Sequence, residues 1–202
     1  MGGPWTPRTP DWVTPPASHI ADEHWLAYAM LVRDRLPWAA GVACSIAWIR
    51  GGRVGPITER DEQPVTRAVA DAERWAAEAA RVPANPPPMD VIYAQLKVTP
   101  WAPLPNQDPN YAVGCWRALR WVLGVPGQDP PIPVPRRRPD GSLYTAEELY
   151  AEVIRADDGR LSPEQRATKR VQAECDAAKY WHYAEQIAQV QRDLGWDHAG
   201  AS

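Results

Sequence analysis

Two pairs of residues in this sequence have the types and spacing of a metal site between helices. His19 and Glu23 lie four residues apart near the start of one predicted helix, and His182 and Glu185 lie three apart on another. Facing helices that each carry such a pair can hold a divalent ion between them. No Glu-x-x-His pair occurs, however, and helix residues of these types are more commonly exposed or hydrogen-bonded. We therefore expect no metal and no cofactor. The alternative hypothesis is a metal site formed by these four residues.

Nucleophilic catalysis would need a cysteine or serine with an activating base beside it. Cys44, Cys115 and Cys175 each fall within a predicted helix and have no close spacing, so buried free thiols are expected. Cys175 and His182 lie two helical turns apart, too far for direct contact. The sequence contains no Gly-x-Ser-x-Gly, P-loop or Rossmann pattern. An enzyme is therefore the minority hypothesis.

Arginines near tryptophans are the third candidate chemistry, because they bind phosphates and stack on bases. Arg136, Arg137 and Arg138 are consecutive in a proline-rich segment, and Arg117 lies four residues before Trp121, where the two side chains could stack. The net charge of the chain is −3, and a negative balance disfavours nucleic-acid binding, which depends on clustered basic residues. A solvated turn or a contact with an acidic partner is the ordinary alternative for such an arginine run.

Tryptophans among prolines are the strongest indication of a partner. Trp5, Trp12 and Trp101 stand in proline-rich segments, where no helix of their own shelters them, and tryptophan is a favoured interface anchor. Together with the arginines and Trp121 named above, they are the predicted partner-binding residues. A second group falls on predicted helix faces, where tryptophan would fill the core in place of the absent phenylalanine: Trp25, Trp38, Trp48, Trp75, Trp116 and Trp181.

The elements that carry these residues are predicted to be helices, because apolar residues recur at spacings of three and four. Ser162 with Gln165, and Thr145 with Glu148, are spaced as capping boxes, and Asp108 precedes a proline as an N-cap. The predicted helices span residues 18–36, 38–50, 64–82, 109–124, 145–156 and 163–194.

Two further segments complete the predicted architecture. Residues 90–98 fit either a strand or a short helix, and the helix is favoured because no second strand exists to pair with the first. The stretch 51–63 is predicted to be a polar connection. The fold class is therefore all-α, an irregular bundle of five or six helices joined by proline-rich extended segments, with a long C-terminal helix.

The chain is predicted to have four parts with different compositions. They are an N-terminal proline- and tryptophan-rich arm at 1–17, a helical core at 18–124, a proline-rich linker at 125–142 and a C-terminal helical hairpin at 143–202. No segment reaches the ~20 apolar residues of a membrane helix, and no signal peptide is expected. The absence of phenylalanine and the presence of 19 arginines beside 3 lysines favour a high-GC bacterium, its phage or a mobile element.

These observations predict a cytoplasmic, non-catalytic interaction or assembly protein, with a protein partner or self-association, and no membrane. The proline-flanked tryptophans and the long C-terminal helix are the expected contact elements. The alternatives are a small helical metal- or ligand-binding enzyme and a nucleic-acid accessory factor.

Overall fold

The computed structural model describes residues 9–157 and 159–195, and within these ranges the chain is helical and contains no strand. The all-α class is confirmed, and the described residues form seven helices where five or six were predicted. The prediction of a short helix within residues 90–98 is confirmed as well. The helices are α1 Ala17–Asp34, α2 Pro37–Ile49, α3 Arg67–Arg81, α4 Met89–Leu96, α5 Pro109–Val122, α6 Ala146–Ala156 and α7 Pro163–Asp193.

Local capping chemistry explains where several helices begin. The Ser162 and Thr145 side chains accept from the backbone of the first turns of α7 and α6, and both predicted capping boxes are complete. Asp108 caps α5 as predicted. Helix α3 begins later than predicted, at Arg67, because the Thr66 side chain accepts the Val69 N–H and closes the helix there.

The chain forms two compact units, Met1–Pro133 and Val134–Ser202. In the first unit, α2 packs against α1 and α5, and α3 packs against α4 and α5. Helices α2 and α5 approach so closely that a Cβ on Gly41 would collide with the Tyr111 carbonyl oxygen, and one on Gly114 with the Trp38 carbonyl oxygen. Glycine at both positions allows this backbone contact, as small residues do where helices cross closely. The core around the crossing includes Ile20, Leu26, Val42, Ile46, Trp48 and Leu119.

The connection at 51–63 contains no helix or strand, as predicted, but part of it is buried despite its polar composition. Residues 55–58 and Arg60 are buried, and the Ile57 backbone oxygen accepts from Leu104 at 2.9 Å. The sequence pattern did not indicate this burial, because the burial depends on α3, which lies later in the chain.

The second unit has a much thinner core. Helix α6 packs against α7, and the buried apolar side chains on these two helices are Leu149, Ala173 and Ile187. Helix α7 has 31 residues, which corresponds to about 46 Å. No helix within the described ranges is both long and apolar enough to span a membrane.

Two burial predictions were wrong. Trp48 is buried as predicted, but the side chain of Trp181 is 60% exposed, because it lies outside the face of α7 that carries the buried Ala173 and Ile187. Of the three cysteines, Cys115 is buried, whereas Cys44 and Cys175 are exposed. A helical position alone does not determine whether a thiol faces the core.

Candidate functional site

The N-terminal arm is described from Thr9 onward, and its tryptophan contacts the chain's own core. Trp12 is half-buried, and its indole N–H donates to the Val65 carbonyl oxygen at 2.9 Å. The Trp12 carbonyl oxygen accepts from Arg67 Nη1 at 3.2 Å, and the Thr14 N–H donates to the Val122 carbonyl oxygen at 2.9 Å. These bonds hold the arm across the ends of α3 and α5.

The other proline-flanked tryptophans are placed differently. Trp101 is half-buried, and its carbonyl oxygen accepts the Tyr93 hydroxyl at 2.5 Å, which ties the segment to α4. Trp5 lies outside the described residues. Its role as a partner-binding residue therefore stays a prediction.

The aromatic–arginine contacts on α5 differ from the predicted pair. Trp121 is buried in the core, and Arg117 acts electrostatically on the carboxyl group of Glu23. The ring that stacks is that of Trp116, whose centroid lies 4.7 Å from the Arg81 guanidinium and 4.5 Å from that of Arg120. Arg120 lies four residues after Trp116 on α5, so the spacing could have indicated this contact, whereas Arg81 belongs to α3 and no local spacing indicates its contact with Trp116.

The three consecutive arginines lead into a turn that begins at residue 139, and this segment, called the arginine turn below, is tied to α6 by ion pairs. Arg136 pairs with Glu152 at 2.5 Å, and Arg138 pairs with Glu148. Arg137 donates from Nη1 to the Gly141 carbonyl oxygen at 3.1 Å. The aromatic ring of Tyr144 lies between the first and third guanidinium groups, 5.0 Å and 6.0 Å from them. Acidic side chains of the same unit therefore already neutralise two of the three predicted phosphate-binding residues.

The two predicted metal-binding pairs lie on different units. His19 and Glu23 are on α1, whereas His182 and Glu185 are on α7, where the His182 ring hydrogen-bonds Gln186 at 2.9 Å. Within residues 9–157 and 159–195, no three histidine, cysteine or carboxylate side chains converge as metal ligands would.

Glu23 is a buried acid, a state that its sequence position did not indicate. One carboxylate oxygen accepts the Ile132 N–H at 2.9 Å, and the other has no hydrogen-bond partner among the described residues. Burial raises the pKa of Glu23 well above its ordinary value, although the Ile132 N–H and the charge of Arg117 act in the opposite direction. The adjacent His24 has its pKa lowered to about 4, by burial and then by the charge of Arg50.

A buried ion pair lies where the 51–63 loop meets α3. Glu73 accepts from the backbone N–H groups of Ile57 and Thr58 at 2.6 and 2.9 Å and from the Thr58 hydroxyl at 2.6 Å. Arg60 Nε lies 3.2 Å from the same carboxylate, and both side chains are completely buried. Because every oxygen of this carboxylate is engaged by the protein itself, the cluster is a structural clamp that holds the loop.

Two surfaces within the described part of the chain are open to solvent and are the candidates for contacts with another molecule. Helix α7 is exposed at ten consecutive residues, 163–172, and beyond them at Trp181. A groove of about 460 Å³ on the first unit is lined by Arg67, Ala68, Asp71, Arg74, Leu96, Leu123 and Val125. These surfaces, rather than a catalytic cluster, are the candidate functional sites.

No protein-family model, curated protein or solved structure matches this chain.

Proposed function

We propose that this protein is a non-catalytic interaction or assembly protein whose helix α7 binds a protein partner or a second copy of the chain. The observation that carries this proposal is the exposure of residues 163–172 around the whole circumference of the helix. A helical segment of this length is marginal in water by itself and gains most of its stability from packing. A partner that covers this part of α7 would supply the missing packing.

The exposed side of α7 has the chemistry of a contact surface. Val171 and Trp181 have exposed fractions of 58% and 60%, and the exposed Cys175 and Ala178 lie between them. Spacings of three and four place Val171, Cys175 and Ala178 along one side of the helix, with Trp181 at its edge. Tryptophan contributes strongly to binding when a partner desolvates it. The proposed anchors are therefore Trp181 and Val171.

The proposal keeps the cytoplasmic setting and the high-GC bacterial, phage or mobile-element source that were inferred from composition. A metal- or ligand-binding enzyme and a nucleic-acid accessory factor remain the alternatives. Neither has a specific contact in its favour among the described residues.

The test compares Val171→Asp and Trp181→Ala with a matched control, Val32→Asp, because Val32 on α1 has an exposed fraction of 60%. Light scattering over a range of protein concentrations measures self-association, and quantitative capture from a host lysate measures binding to other proteins. We expect both α7 variants to weaken the association that the wild-type protein makes, and the control to leave it unchanged. A wild-type protein that is strictly monomeric and captures nothing, or an equal effect of the control, would contradict the proposal.

A further inference from the structure

A groove on the first unit lies beside the N-terminal arm. Arg67 lines this groove, and its guanidinium donates both to the Trp12 carbonyl oxygen at 3.2 Å and to the Leu123 carbonyl oxygen at 2.6 Å. Leu123 and Val125 form part of the groove wall. Arg67 therefore both bonds the arm and lines the groove.

A turn lies near the beginning of the described chain. The Val13 N–H donates to the Pro10 carbonyl oxygen at 3.1 Å, and the Thr14 N–H bonds the backbone of Val122. The first described residue, Thr9, lies three positions before Trp12, whose carbonyl oxygen accepts from the groove residue Arg67. Residues 1–8 are therefore joined to the chain only a few positions from a contact with the groove.

The groove combines apolar walls with charged groups. Ala68, Leu96, Leu123 and Val125 supply apolar surface, and Arg74 lies 4.1 Å from the centroid of the neighbouring Trp75 ring. Such a surface suits an indole, which buries apolar area and is attracted to guanidinium groups.

An anionic occupant is a poorer fit for the same groove. Arg74 pairs with Asp71 at 2.6 Å, and Arg67 donates to the carbonyl oxygens of Trp12 and Leu123. The two cations are therefore already engaged by groups of the protein.

We propose that this groove binds the chain's own residues 1–8, with the indole of Trp5 against the apolar wall. Trp5 lies four positions before Thr9, which permits a span of at most about 14 Å. Pro4 and Pro7 flank Trp5 and favour an extended backbone, which lowers the entropy lost on binding. The covalent connection gives the segment a millimolar effective concentration, so the same chain outcompetes a second copy.

The first experiment compares the full-length wild type with Trp5→Ala and, as a matched control in the same segment, Thr6→Ala. Methyl resonances of Leu96, Leu123 and Val125 report on the groove by NMR. We expect the ring-current shifts of these methyl groups to be lost in Trp5→Ala and retained in Thr6→Ala. Unchanged methyl shifts in Trp5→Ala, or shifts in wild type that appear only at high protein concentration, would overturn binding within one chain.

A second experiment supplies the segment separately. The chain that lacks residues 2–8 is titrated with a synthetic peptide of residues 1–8, and with the same peptide carrying Trp5→Ala. We expect saturable shifts of the same three methyl groups with the first peptide and none with the second. A lack of saturable binding, or equal binding of both peptides, would contradict the assignment of Trp5 to this groove.

Discussion

An arginine–glutamate pair ties a loop to a helix in each unit, but the two pairs lie in opposite environments. In the first unit, Arg60 of the 51–63 loop contacts Glu73 of α3, and both side chains are completely buried. In the second, Arg138 of the arginine turn contacts Glu148 of α6, and the side chains are 32% and 39% exposed. In both units, an arginine of a loop contacts a glutamate of a helix.

The difference in burial determines what each pair contributes. A buried charge that loses its partner bears the full cost of desolvation, whereas an exposed one is rehydrated. A similar contrast is seen in the pKa values of two glutamates, one buried in the first unit and one exposed in the second. Burial raises the pKa of Glu23, whereas hydrogen bonds from Arg138 and the Thr145 N–H lower that of Glu148 to about 2. The same residue type therefore acts as a structural clamp in the first unit and as a solvated contact in the second.

The largest expected effect tests the two ion pairs directly. Glu73→Gln removes the completely buried charge partner of Arg60, which keeps only the contact of its Nη1 with the partly exposed Glu62 at 3.0 Å, and should destabilise the first unit by about 3 kcal/mol. Glu148→Gln is the matched control and should leave the urea midpoint nearly unchanged. Urea unfolding followed by circular dichroism measures both.

A double variant keeps this prediction falsifiable if Glu73→Gln folds poorly. Arg60→Met combined with Glu73→Gln removes both buried charges, the arginine and its carboxylate partner. This double variant should be more stable than Glu73→Gln alone. Equal midpoint shifts for Glu73→Gln and Glu148→Gln, or no recovery in the double variant, would show that burial does not distinguish the two pairs.

An intermediate effect is expected at the closest helix contact of the first unit. Gly114→Ala adds a methyl group that collides with the Trp38 carbonyl oxygen, and the separation of α2 and α5 should cost about 1–3 kcal/mol. The control, Ala178→Gln, enlarges an exposed position of α7 and should stay within about 0.5 kcal/mol. Thermal unfolding compares the two variants, and a Gly114→Ala protein as stable as the wild type would refute the close backbone contact.

The smallest expected effect depends on pH. Above pH ~4.3, the ordinary pKa of glutamate, the unfolded chain releases a proton that folded Glu23 keeps. The stability contributed by protonated Glu23 is therefore complete below that pH and is lost as the pH rises through the raised pKa. Glu148 behaves oppositely, because its contribution is present above pH ~4.3 and is lost as the pH falls toward its pKa of about 2.

Glu23→Gln isolates this effect, because glutamine still accepts the Ile132 N–H but cannot ionise. The melting temperature of the variant should rise relative to that of the wild type as the pH increases above ~4.3, and the difference should level off above the raised pKa of folded Glu23. The titration of His24 occurs in both proteins and cancels in the comparison. For Glu148→Gln the difference from wild type should stay constant over this range, and a constant difference for Glu23→Gln as well would contradict the raised pKa.

The sequence predicted the helices well because helix signals are local. The Ser162 and Thr145 capping boxes depend on residues three positions apart, and the sequence contains both partners. The short helix α4 was predicted from the lack of a partner strand. The start of α3 was predicted too early in the chain, because a local cap at Thr66 was overlooked.

The candidate surfaces were predicted less well, because exposure depends on distant residues. Trp181 has the helical spacing of a core residue, yet it is exposed, and the arginine turn is neutralised by α6. The groove beside Arg67 brings together α3, α4 and the end of α5, which are far apart in the chain. No local sequence pattern indicates that these three segments lie next to one another.

The sequence by itself determined the all-α class and most helix termini, since these depend on neighbours within a few positions. Only the tertiary structure decided which glutamates are buried, which arginines are already paired and which tryptophans face solvent. The physical reason is that desolvation and ion pairing act through space, between residues such as Arg60 and Glu73 that a loop and a helix bring together.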